Sequence, residues 1–344
     1  MPEAGTGNSE FENREPRIEN RESAEAQPAQ KRKKTFADFL PIFWMCAVFI
    51  VSQVLALIVM PTFSAAGMQA FENPSDPKNS LVYILIILGF TALILLIARF
   101  KLQRLIKYII LGAMFFTMYY VFWPLLIMIP AMQAPVFGIF TVAKIISIAA
   151  SALLIAALYR HPEWYVVDTC GILVSAGAIA IFGISFDIIP ALFLLAGLAV
   201  YDFISVYRTK HMLKLADSVL DLKLPMMIIV PRRAGYSFIE DSKSVSERQE
   251  QDKEERDAMF MGLGDIVIPG VLVGAAYHFV GAAHGAQSGA LLAAAVLLGA
   301  LAGFVALMFF VMKGKAQAGL PFLNGGAILG YVIGSLAIFG TIIL

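Results

Sequence analysis

Long apolar segments separated by short polar breaks dominate the chain after residue 38. They run at about 39–60, 81–98, 108–129, 136–159, 164–183, 188–207, 259–280, 288–312 and 321–343. Each is near the ~17–25 residues that an α-helix needs to cross a bilayer. The pattern predicts an all-α, polytopic membrane protein with nine transmembrane helices. The eighth and ninth segments are rich in Gly and Ala, which suits close helix–helix approach.

Residues 1–38 are a polar tail ending its charged part in KRKK, with too little apolar content to fold, and they read as disordered. Residues 39–207 hold the first six spans, 208–258 a long loop, and 259–344 the last three spans. Within the loop, HMLKLADSVLDLKL carries apolar residues at helical spacing and predicts a helix lying in the membrane interface. PMMIIVP, at 225–231, reads as a short strand or a membrane-hugging link. Residues 232–257 are mixed in charge, lack a hydrophobic pattern and read as mobile.

Charge then orients the chain. Lys31 to Lys34, Arg99, Lys101, Arg104, Lys107, Arg160, Arg208, Lys210, Lys214, Lys313 and Lys315 all fall on one side if there are nine spans, and the opposite loops hold only Lys78. Lys and Arg mark the inner side, so the amino terminus is expected inside and the carboxyl terminus outside.

Composition agrees and narrows the classes. The 344 residues are 59% hydrophobic and 15% charged, as in a bilayer protein. A net charge of +1 gives nucleic-acid binding no electrostatic support. Two cysteines, Cys46 and Cys170, sit in apolar segments and form neither a metal motif nor a disulfide framework.

Candidate chemistry rests on carboxylates within or beside the spans: Asp168, Asp187, Asp202 and Asp265. Asp168 and Asp187 lie near span ends and read as interfacial or capping residues. Lys144 reads as a snorkelling side chain. Asp202 lies six residues before Arg208, and Asp265 eight after Asp257. At 1.5 Å per residue those depths are about 9 and 12 Å. Two helices of opposite direction thus carry one acid each at similar depth, with no base in either span beside them. Facing each other and sharing a proton, such a pair is a general acid next to a general base, able to activate water against an amide carbonyl. Gly262 and Gly264 would let another backbone approach Asp265 closely. Proton relay in a transporter would use the same acids, and a purely structural pair would only fasten two helices.

Tyr201-Asp202 and Gly262-Leu263-Gly264-Asp265 resemble the YD and GxGD motifs of the presenilin and signal peptide peptidase family of intramembrane aspartyl proteases. Gln317-Ala318-Gly319-Leu320-Pro321 is similar to that family's PAL stretch, keeping its leucine and following proline but carrying Ala318 and Gly319 where the family has Pro and Ala. The resemblance spans nearly the whole chain after residue 35, and its pattern is that of an archaeal presenilin homologue. It implies an aspartic endopeptidase that cleaves transmembrane helices, with Asp202 and Asp265 catalytic. Tyr201, Gly262, Leu263, Gly264, Gly319, Leu320 and Pro321 would shape the cleft. It further implies no metal or organic cofactor, transmembrane peptide or protein substrates, membrane lipid around the chain, a homo-oligomer as one possible assembly, and residence in the cell membrane. Substrate would unwind and pair as a strand, with PMMIIVP a candidate partner.

Other intramembrane proteases fit less well. The histidines His161, His211, His278 and His284 make no HExxH zinc pair. Ser288 in GAQSGA has no histidine after it. Prepilin peptidases share GxGD but surround their first aspartate differently and often carry paired cysteines.

Overall fold

The computed structural model describes residues 40–99, 103–137, 140–206, 227–232, 235–239, 258–311 and 317–344. The polar tail, the expected interfacial helix, and Lys101, Lys313 and Lys315 lie outside the described residues.

The architecture is helical. The helices are α1 (Leu40–Ala65), α2 (Lys78–Arg99), α3 (Gln103–Ile127), α4 (Val142–Arg160), α5 (Trp164–Ser185), α6 (Ile188–Ile204), α7 (Leu263–Ala275), α8 (Ala286–Val311) and α9 (Leu320–Phe339). α7 runs on through a π turn, Ala276–Val280, and a last turn, Gly281–His284. Seven of these helices are long and apolar enough to cross a membrane, while Lys78–Leu93 and Ile188–Ile204 are shorter apolar helices. Their outward faces carry large apolar side chains such as Phe43, Leu85, Phe116, Leu153, Leu298 and Ile333. That is the distribution expected of a multi-pass protein in lipid.

Two short antiparallel sheets interrupt the helical pattern. β1 (Pro135–Phe137) pairs with β2 (Phe140–Thr141), so the fourth segment becomes helical only at Val142 rather than 136. Thr141 caps that helix by accepting the Lys144 N–H. The Lys144 ammonium lies 5.7 Å from the centre of the Trp123 ring, a cation–π contact rather than simple snorkelling.

The second sheet corrects the expected start of the seventh span. β4 (Ala258–Gly262) is a strand, not the head of a helix, and it pairs with β3 (Met227–Pro231) in the register Met227↔Gly262, Ile229↔Phe260, Pro231↔Ala258. Met227–Pro231 of PMMIIVP is therefore a strand whose partner lies within the chain, while Pro225 and Met226 lie outside the described residues. A five-residue apolar run has no period that separates strand from helix, so the pairing decides. Part of the loop expected to be mobile is docked: Phe238 is buried, and its N–H and the Ser237 hydroxyl both donate to Glu163, at 3.0 and 2.7 Å.

Packing between helices depends on small residues, because lipid supplies no hydrophobic drive to association. α8 and α9 meet along Gly299, Gly303, Gly326 and Gly330. A Cβ at Gly303 would strike the Phe322 carbonyl, and one at Gly299 the Gly326 carbonyl. α5 and α7 cross where a Cβ on Gly183 would lie 2.9 Å from the Gly274 Cα. Asp187 caps α6, accepting the Ile188 N–H at 2.7 Å and the Ser75 hydroxyl at 2.7 Å, as expected of a helix-end aspartate.

Candidate active site

Three helix ends converge on the acids. Asp202 is in the last turn of α6, and Asp265 is in the first turn of α7. α9 begins at Leu320, after the Ala318–Gly319 approach. α9 packs against both α6 and α7, and α6 against α7.

The Asp202 carboxyl is buried, and its Oδ2 accepts the backbone N–H of Leu320 at 3.1 Å. That N–H is one of the first-turn donors that have no partner within their own helix. Pro321 follows at a first-turn position where its missing N–H removes nothing.

Asp265 stands three residues after Gly262, the N-cap of α7, and its Oδ2 turns back towards Gly262, 3.6 Å from where a Cβ on that residue would stand. That is the position a capping-box acid occupies. A Cβ on Gly319 would lie 3.2 Å from Asp265 Oδ1 and 3.3 Å from Oδ2. The Gly319–Leu320 peptide therefore sits against both acids, and their charges are near enough to interact. The N-termini of α7 and α9 both direct positive partial charge at this spot.

The remaining residues singled out in the sequence are also placed here. Leu263 and Leu320 are half-buried. Leu263 packs towards Gly171 of α5. Tyr201 is half-buried beside Asp202, and no hydrogen bond joins its hydroxyl to either acid among the described residues. Gly264 is exposed, and a Cβ there would meet nothing within 4 Å; one on Gly262 would meet only Asp265 Oδ2, at 3.6 Å. The close backbone approach expected here is made at Gly262 by β3, where Met227 is its partner, and at Gly264 by no other part of the described chain.

Two buried amides escaped the sequence reading. Gln53 of α1 donates to the Ile266 carbonyl at 3.0 Å, one residue from Asp265. Asn324 of α9 donates to the Leu195 carbonyl of α6 at 2.9 Å. Each ties a helix that carries an acid to a neighbour. The available signal was an amide inside an apolar span, which favours interhelical hydrogen bonding. Asp168, near the start of α5, is buried and accepts the Ile229 N–H at 2.8 Å.

Apolar helices with two acids at converging helix ends are compatible with an intramembrane enzyme of the aspartic class, and comparison with known proteins assigns that class. A family profile described as signal-peptide peptidase, presenilin aspartyl protease matches residues 46–340. Two crystal structures of a presenilin family intramembrane aspartate protease are similar to this chain. The form in space group C222 has 33% identity and a TM-score of 0.62, covering 87% of this chain and all 100% of that one. The P2 form has 34% identity and a TM-score of 0.63, covering 87% and 99%. No curated protein sequence matches. The chain belongs to the presenilin and signal peptide peptidase family and is an intramembrane aspartic peptidase. Membership of that family does not favour the transporter reading.

Proposed function

We propose that Asp202 and Asp265 are the catalytic pair and hydrolyse peptide bonds within transmembrane helices of membrane proteins. One carboxylate takes a proton from water as the water oxygen bonds to the amide carbon. The other, protonated, hydrogen-bonds the carbonyl oxygen and neutralises it. Collapse of the tetrahedral intermediate breaks the C–N bond, and the leaving amine takes up a proton from the pair. The observation that carries this reading is the shared contact of the two acids with the Gly319–Leu320 peptide.

Gly262, Leu263, Gly264, Gly319, Leu320 and Pro321 border the cleft in this reading, with Tyr201 packing beside it. The open space at Gly264 is where a substrate backbone would approach. A substrate strand would not add to β3, whose two edges are taken by β4 and by Asp168. It would add to the sheet on the β4 side. The charge distribution supports nine crossings of the cell membrane, with the amino terminus inside.

The test is incubation of the purified protein with a labelled transmembrane peptide. The peptide is expected to be cut, and Asp202→Ala or Asp265→Ala to stop the cutting. A folded wild-type protein that leaves a panel of such peptides whole, or an alanine variant that still cuts, overturns the proposal.

A further inference from the structure

Asp168 has no part in the reaction as written, yet it is a carboxylate 5% exposed within an apolar helix. Buried acids in such places are costly and need a reason. Its Oδ1 accepts the Ile229 N–H across 61 positions of sequence. In an antiparallel pair, a residue that turns its N–H outward belongs to a non-hydrogen-bonded pair. Ile229↔Phe260 is therefore such a pair, and the ladder bonds fall to Ile228↔Met261 and Val230↔Met259.

The same face of α5 receives the sheet at a second point. Gly171, three residues after Asp168, lacks a side chain where Ile228 and Leu263 press in; a Cβ there would lie 2.9 Å from Ile228 Cδ1 and 3.1 Å from Leu263 Cδ2. At the start of α5, Glu163 holds the segment after β3 through Ser237 and Phe238. β3 is thus fixed to α5 at successive turns. β4 is fixed to β3, and β4 ends at Gly262, the N-cap of α7, three residues before Asp265, whose Oδ2 lies beside it.

We propose that Asp168 is a positioning residue for Asp265, acting through the Ile229 N–H and the β3–β4 sheet to set where α7 begins. This rests on the aspartyl-pair reading above. Losing the anchor frees the sheet edge and lets Gly262, and with it the Asp265 carboxyl, shift. Misplacement of a reacting group by about 1 Å lowers turnover by up to roughly 100-fold.

The experiment compares Asp168→Leu, Asp168→Asn and Ile229→Pro in the transmembrane-peptide assay, with melting temperature and affinity for a hydroxyl-bearing, transition-state-like peptide inhibitor measured beside it. Asp168→Leu is expected to lower kcat by about 10- to 100-fold, to weaken the inhibitor by a similar factor, and to change KM little. Asn keeps an oxygen that can accept the N–H, so Asp168→Asn restores kcat to within about threefold of wild type. Ile229→Pro removes the outward N–H at a strand position that tolerates proline, with Ile229→Val as the control for the shortened buried side chain, and reproduces the Leu phenotype even should Asp168→Leu fail to fold. The double variant falls no further than either single one.

Normal kcat in a folded Asp168→Leu or Ile229→Pro, or a kcat in Asp168→Asn as low as in the Leu variant at an unchanged melting temperature, overturns the proposal. Failure of the aspartyl-pair reading looks different: there Asp265→Ala itself still cuts.

Discussion

The Asp202 carboxylate takes its hydrogen bond from the first backbone N–H of α9, that of Leu320, at 3.1 Å. An acid at the end of one helix thus caps the start of another, and the loop before α9 is held against the active site by the acid itself.

Leu320→Pro tests that link. Proline is compatible with the first turn of a helix and removes the N–H, but also the half-buried leucine side chain, so Leu320→Ala is measured beside it as the side-chain control. Hydrogen bonds to charged groups contribute about 1.5–3 kcal/mol. Turnover of Leu320→Pro is expected to fall about tenfold or more below that of Leu320→Ala in the peptide assay, with the melting temperature of both measured because a proline also disfavours the α conformation of Gly319. Unchanged turnover would mean that the bond has no role in the reaction.

Gly303 and Gly325 form a contrasting pair. A Cβ on Gly303 meets the Phe322 carbonyl, whereas one on Gly325 meets nothing within 4 Å. Gly303→Ala should destabilise by about 1–3 kcal/mol through overpacking. It should also lower activity by moving the start of α9. Gly325→Ala should leave stability equal or slightly higher, since alanine is the better helix former. Thermal denaturation in detergent reads both.

Gly264 has open space beside it and ordinary backbone angles, so the fold does not require glycine there. Gly264→Leu should keep the melting temperature of the wild type yet reduce kcat/KM for transmembrane peptides by about tenfold or more, as expected when bulk enters a cleft that substrate occupies. Parallel loss of stability would place the effect in packing instead.

The dyad works with one proton. With both acids protonated no base is left, and with both ionised no acid is left. A plot of kcat/KM against pH should therefore be bell-shaped, its two limbs reporting the pair rather than either residue. Activity that rises to a plateau with no second limb would argue against paired acid and base roles.

Much of this was readable beforehand, for physical reasons. Apolar runs of spanning length and the two acids standing out within them, Asp202 and Asp265, follow from the bilayer alone, whereas a helical depth for Asp265 counted from Asp257 does not apply because Ala258–Gly262 is strand. The strand at 258–262 was not readable, because Met259, Phe260 and Met261 suit a helix as well as a strand, and only β3 selects between them. The partner of Asp168 was not readable because Ile229 lies 61 residues away. Gln53 and Asn324 passed unnoticed because uncharged amides barely alter an apolar run, although each bonds a main-chain carbonyl of the helices carrying the acids.

The most direct measurement is the residual cleavage rate of Asp202→Ala, Asp265→Ala and the double variant, each checked for folding. Groups that act as a unit lose their effect together. All three rates should therefore drop to one common background. A single variant that keeps a substantial share of activity, or losses that multiply in the double variant, would contradict a shared catalytic pair.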